Sequence, residues 1–376
     1  MQKKLIAVAV AGLMSGAAFA QSNVTISGLI RMSLEQYKLS NVAAGASAEN
    51  RVSDQSSMLV FSGREDLGGG MYAGFNIDNR FGPDMGGFAA SGNTNVHLGG
   101  TWGRVALGRQ DLHYGAGLVE SYKAYTLQNH LGNGLFSQVN GVSIANATRT
   151  PNVMMYDSPN MSGFTVRLAG STSWAGTEGS GINVAGNDPG KGSATNLALN
   201  YANGPIKAGY SYWRAKAEGG IAAAVAATNV PPAAPTAAVA ATFDQRGDTL
   251  QFGYAFPMGL NVGIGWNKSK TTGVAGDASR TAWILPVSYA FGANQVNFTY
   301  AKAGNTSGVA DSGANAYTLT YAYSMSKRTN VGVGYTKLDN KTNGSYELFG
   351  IAANGGTATP AGADVSQVSL NVVHSF

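Results

Sequence analysis

The chain ends on Ser366–Phe376, "SQVSLNVVHSF", and the reading of this stretch decides the fold. Val368, Leu370, Val372, His374 and Phe376 fall on one parity, and Gln367, Ser369, Asn371 and Ser375 on the other. Such alternation belongs to a strand with one apolar and one polar face. Chain ends fray unless something ties them down. A strand that runs to the last carboxylate and finishes on an aromatic ring therefore needs a structural reason.

The opposite terminus constrains the compartment. "MQKKLIAVAVAGLMSGAAFA" places Lys3 and Lys4 before an apolar run from Leu5 to Leu13, then Ala18-Phe19-Ala20 before Gln21. This is the layout of a cleaved export signal over residues 1–20, too short and wrongly flanked for a permanent membrane helix. The remaining 21–376 is expected to be one domain. Removing two lysines from the formal +5 leaves a mildly basic chain, too weak a field to argue for nucleic acid.

The chain contains no cysteine, so disulfides are excluded as the source of stability in an oxidising compartment. Charged residues make up 12%, against about 25% in soluble domains. Mean hydropathy is nevertheless near zero, at −0.06. The longest apolar tract, 221–241, is interrupted by Pro231, Pro232 and Pro235, so it reads as a low-complexity loop. An exported chain without spanning helices crosses lipid in one other way, as a closed β-barrel.

Alternating segments recur throughout. Val24, Ile26, Ile30, Met32 and Leu34 oppose Thr25, Ser27, Arg31, Ser33 and Glu35; Leu260, Val262, Ile264 and Trp266 oppose Asn261 and Asn267. Tyr317, Leu319, Tyr321 and Tyr323 oppose Thr318, Thr320 and Ser324. A soluble sandwich alternates too, so the connections decide. Short links at 66–70, 101–104, 158–163, 202–205, 256–259, 291–294 and 325–329 alternate with long tracts. The long tracts lie at about 38–55, 81–92, 110–150, 175–194, 217–247, 269–279, 303–314 and 339–363. Tight turns at one end and long loops at the other predict an all-β, antiparallel up-and-down transmembrane barrel of about sixteen strands. Such a barrel encloses an aqueous channel. Tyr37, Trp102, Trp174, Tyr201, Phe256, Trp266, Phe291 and Tyr335 are assigned to interfacial aromatic girdles.

Several stretches together resemble the general porins of β-proteobacteria and Neisseria. "SSMLVFSGREDLGGGMYAGFNID" is similar to their second hairpin and "WGRVALGRQ" to the fifth strand entering the third loop. "RTPNVMMYDSPNMSGF", "YSMSKRTNVGVGY" and the final "VVHSF" follow in the family's order. The resemblance implies a homotrimeric outer-membrane channel for ions and small hydrophilic solutes, with the third loop folded into the lumen. It also implies that the last strand pairs with the first and that the assembly machinery reads Phe376. By parity His374 faces lipid beside it.

The candidate site is the channel wall. Arg31, Glu35, Asp78, Arg80, Arg104, Arg167, Lys207 and Arg280 share the inward parity. Arg109 and Arg149 flank the long 110–150 tract, which carries Asp111, Glu120 and Lys123 among apolar residues, as suits a loop packed inside. Cations outnumber carboxylates on this wall, which predicts a field favouring anions. Two departures from the family weaken that expectation. Its "SSRLGFKG" cations are Met58 and Ser62 here, and its "NRQ" is "NTN" at 93–95. Weak anion preference or near neutrality is the expectation, with a substrate-preferring channel for a small anion or sugar as the alternative.

Enzymatic chemistry finds little footing. His97, His113, His130 and His374 lack metal-ligand spacing, and "GNDPGKGS" at 186–193 fails the phosphate-loop pattern. No cofactor or metal is expected. A surface adhesin would use the tracts at 175–194, 217–247 and 339–363, which are poor in aromatic anchors.

Overall fold

The computed structural model describes residues 23–42, 48–112, 138–139, 142–143, 150–172, 192–217, 243–272, 277–348 and 359–376. The export signal at 1–20 lies outside these residues, as do Glu120, Lys123, Arg149 and Trp174.

The wall begins with β1 (Asn23–Ser40), β2 (Ala48–Asp54), β3 (Met58–Gly68), β4 (Met71–Phe81), β5 (Phe88–Gly100) and β6 (Gly103–Gln110). Two short strands, β7 (Gln138–Val139) and β8 (Val142–Ser143), pair only with each other. The wall resumes with β9 (Thr150–Asp157), β10 (Phe164–Ser171), β11 (Ala194–Asn203), β12 (Ile206–Ala217) and β13 (Phe243–Ala255). It closes through β14 (Leu260–Thr272), β15 (Ala278–Phe291), β16 (Asn294–Ala303), β17 (Ala314–Ser324), β18 (Thr329–Asn340) and β19 (Asp364–Ser375). Every pairing is antiparallel, and β19 pairs with β1 as well as with β18. β2 and β3 both pair with β1 and form one interrupted stave, so the closed wall has sixteen staves.

The terminal strand is held on both edges. Gly28 and Phe376 exchange backbone hydrogen bonds, N–H to carbonyl in each direction, at 3.1 Å. The Phe376 ring lies over Gly28 on the outer face, where a Cβ would stand 2.8 Å from the ring and 2.4 Å from the Met58 carbonyl. His374 faces the same side, opposite Ile30 in register, and its Nδ1 lies 2.9 Å from Thr329 Oγ1. This seam is what a strict alternation to the last residue accomplishes.

Burial is inverted relative to a soluble protein. Leu34, Val52, Leu250, Leu319 and Leu370 are each at least half exposed, while Ser33, Thr249, Asn267, Ser269 and Thr336 are buried. Ile264 and Leu319 are both on the outer face. An apolar exterior around a polar interior is stable only with hydrocarbon outside.

Three sequence expectations need correction. The second stave does not start at 56: β2 already pairs at 48–54, and one extra residue at 55–57 bulges against β1. Asp54 causes the bulge by accepting the backbone N–H groups of Ser56 and Ser57 while Ser56 takes φ +72°. Tyr37 is no girdle residue. It shares the inward parity of Glu35, is 7% exposed, and has the Arg51 guanidinium 5.3 Å from its ring. Finally, most strands run further toward the long-loop end than their apolar alternation does; β14, for example, reaches Thr272.

Candidate functional site in the lumen wall

The inner face carries two charge networks. The first lies around the bulge. Arg51 Nε donates to Glu35 Oε2 at 2.8 Å, Ser33 Oγ donates to Glu35 Oε1 at 2.6 Å, and Gln55 Nε2 also donates to Glu35. Arg31 donates from its backbone N to Ser57 Oγ and from Nη1 to the Gln55 carbonyl. Arg80 bridges Asp78 at 2.7 Å and donates to Ser56 Oγ at 2.8 Å. Gly92 makes room for this pair, since a Cβ there would collide with the Asp78 carboxylate.

Arg31, Glu35, Asp78 and Arg80 therefore face inward, as their parity predicts; the first three are buried, and Arg80 is half-buried. The Glu35 side chain has no exposed surface and that of Asp78 has 8%. Charges neutralised at contact and shielded by neighbours organise the bulge more than they address passing ions.

The second network, on β3–β6 and β9–β10, is open. Arg104 and Arg167 both bind Asp157, each at 2.7 Å, with 32% and 22% of their side-chain surface exposed. Arg167 Nη1 also donates to the Asp111 carbonyl at 3.2 Å. Asn93 clamps Asp111 by accepting its backbone N–H and donating to its carboxylate. Arg64 is exposed and stacks 3.6 Å over the Tyr72 ring, which fixes its direction without neutralising it. His97 meets Tyr72 edge-on and lies 2.9 Å from Asn95 Oδ1. Arg64, Asn93, His97, Arg104, Asp111 and Arg167 line a recess of about 590 Å³, with Gln110, Asn76 and Thr25.

Arg109 stands in β6 opposite Thr94, within a register break between Gly108 and Gln110, and is half-buried. Arg104, five residues earlier, is inward on the same strand and bound to Asp157.

The recess was only partly legible in sequence. Parity marks Arg104 and Arg167 as inward. Nothing in the linear order indicates that Asp157, Arg64 and His97 converge with them from three further strands.

Two observations bear on the constriction. Leu112 is fully buried where the chain leaves β6, and β7 of the same tract approaches β14 and β15, half the barrel away. The segment after β18 also folds inward: Tyr346 and Leu348 are buried, and Tyr346 accepts from Arg280 Nη1 at 3.1 Å. Asn340 fixes this return by accepting the N–H of Tyr346 and donating to its carbonyl. Beside it, burial pushes the Glu347 carboxyl above the ordinary carboxylate range, against a smaller opposing effect of the Thr359 backbone N–H. Among the described residues, no group of three or more His, Asp or Glu side chains could hold a metal ion.

Comparison with known proteins agrees with this architecture. A family model described as Gram-negative porin matches residues 7–343. Outer membrane porin protein 32 of Delftia acidovorans is 28% identical over the whole of both chains. An outer membrane porin of Bordetella pertussis is 27% identical over 56% of this chain and 59% of its own length. Among solved structures, an anion-selective porin from Comamonas acidovorans aligns with a TM-score of 0.73 at 24% identity, covering 95% of this chain and all of that one. A trimer form of OmpT from Vibrio cholerae aligns with a TM-score of 0.68 at 12% identity, covering 94% and 99%.

Proposed function

This chain belongs to the Gram-negative porin family, and from that premise we propose how its outer-membrane channel selects among solutes. It is a general diffusion pore for ions and small hydrophilic solutes, with a modest preference for anions. The observation that supports this most is the open network. Arg104 and Arg167 share a single carboxylate, Asp157, and Arg64 adds an exposed charge on the same recess. The local excess of positive charge lies in the part of the wall that water reaches, where fixed charges act on permeating ions.

The third loop, including Asp111, Glu120 and Lys123, narrows the lumen in this reading, with Arg149 at its far end. Residues 1–20 act as a cleaved export signal. Three copies assemble in the membrane, and Phe376 is the element the assembly machinery recognises. The anion-selective porin among the similar structures supports the sign of the preference.

Reversal potentials across a planar bilayer in a salt gradient test the proposal. Anions are expected to pass a few-fold more readily than cations, and Arg64→Gln to reduce that ratio without changing the fold. A cation preference of the unmodified channel contradicts the reading. A more dedicated channel for a small anionic solute draws support from the amide-rich lining of the recess, where Asn76, Asn93 and Asn95 stand beside the arginines. Concentration-dependent block of the ion current by one such solute, and not by neutral sugars, would distinguish it.

A further inference from the structure

A strap crosses the long-loop mouth of the barrel. Beyond β18 the chain docks on the β16–β17 connection. There Lys341 donates its backbone N–H to the Gly313 carbonyl at 3.0 Å, and Asn343 donates to that of Asp311 at 2.8 Å. Asn340 then turns residues 345–348 inward. Its side chain accepts the Tyr346 N–H and donates to the carbonyls of both Tyr346 and Ala363.

The strap meets the wall on both sides of the mouth. The Arg280 guanidinium of β15 lies 5.5 Å from the Tyr346 ring and donates to its hydroxyl at 3.1 Å. Tyr346 and Leu348 are buried in one apolar cluster with Leu338 of β18, Val365 of β19 and Tyr37 of β1. Around the wall, four strands separate β15 from β1. A segment engaged at both is a chord across the opening.

One residue of the chord conflicts with its surroundings. The Glu347 Oε2 is buried and has no hydrogen-bond partner among the described residues. Thr359 offers the carboxyl a backbone N–H, and burial outweighs it. The Tyr37 phenol of β1 faces Glu347, and Glu49 and Arg51 of β2 act on that same phenol. Arg51 is held by Glu35 at 2.8 Å, and Arg280 by the Tyr346 hydroxyl. A carboxylate oxygen buried without a donor opposes ionisation, and a proton removes the conflict.

We propose that residues 345–348 form an acid-held strap: with Glu347 protonated they stay packed across the mouth and narrow it, and ionisation of Glu347 releases them and widens the channel. The packed strap is fully favoured below the usual glutamate value of about 4.3. That support is lost as pH rises through the higher value of the packed state. The device rests on the channel reading and not on its ion preference.

Single-channel conductance of full-length refolded protein tests it, recorded from about pH 8 down to about pH 4, a range that brackets the usual carboxyl titration. Conductance of the parent is expected to fall on acidification. Glu347→Gln should stay at the acid level throughout, because a neutral side chain keeps the strap packed, and Tyr346→Ala should stay at the alkaline level. Lumen carboxylates that titrate move all three alike, so the differences between them report the strap. Retention of the heat-resistant electrophoretic form checks the fold. The chain has no cysteine, so Leu348→Cys gives a second readout. Its labelling by a water-soluble maleimide, relative to the same thiol in the unfolded chain, should rise with pH and become flat when combined with Glu347→Gln. Identical conductance profiles for the parent and Glu347→Gln overturn the proposal. A glutamine variant fixed at the alkaline level, or relative labelling that ignores pH, overturns it as well.

Discussion

Asp157 is the residue on which the sign of the lumen field turns. It neutralises one of the two arginines it touches, so its loss would leave both guanidinium groups uncompensated. Asp157→Asn is therefore expected to raise the anion-to-cation permeability ratio about twofold or more, measured as a reversal potential. The pairs are partly exposed, so each stabilises by no more than about 1 kcal/mol and the variant should still fold. An unchanged ratio would show that the recess lies off the ion path. Glu347 gives a pH dependence. Its folded carboxyl titrates above the ordinary range because burial disfavours the charged form. The packed position of 341–348 is then fully favoured below the ordinary carboxylate value, and that support is lost as pH rises through the raised one. Protease nicking of this segment should accelerate with rising pH in the native chain and become flat in Glu347→Gln. Parity in the sequence assigned these side chains to a face. It could not say that Glu35 and Asp78 are sealed while Arg64 is open, because coverage depends on neighbours from other strands.

Among the elements, the β1–β19 seam is the most sharply constrained. Gly28 admits the Phe376 ring and the Met58 carbonyl, and the carbonyl belongs to backbone that cannot swing aside. Gly28→Val is expected to cost about 1–3 kcal/mol through overpacking. Refolding yield should fall, and the unheated protein should lose its compact electrophoretic form at a lower temperature; a variant as heat-resistant as the parent would refute the seam's importance. Strand identity was legible wherever hydrocarbon bathes one face, because there alternation is compulsory. It faded at 48–54, 244–248 and 268–272, where strands continue above the apolar band. Hydrogen bonding sustains those ends, and the outward positions at 244–248 and 268–272 carry charge, so periodicity of hydrophobicity does not register them. The bulge at 55–57 was likewise hidden, since it depends on one aspartate side chain accepting two backbone N–H groups.

For the whole molecule, closure and constriction are separate matters. Sixteen staves alone would enclose a lumen too wide to select among small solutes. Deleting residues 120–134 should leave the heat-resistant barrel intact and increase single-channel conductance, because β6 pairs directly with β9 on either side of this tract. An unchanged conductance would place the constriction elsewhere, with the inward return around Tyr346 and Leu348 as the next element to test.

The amino-acid order by itself determined the class, the number of staves, the end bearing the tight turns and the parity facing water, since a bilayer imposes a two-residue period on every spanning strand. Only the tertiary structure decided which charges converge and which are covered. Those properties depend on the register between strands distant in sequence, and register is set by the closed ladder as a whole.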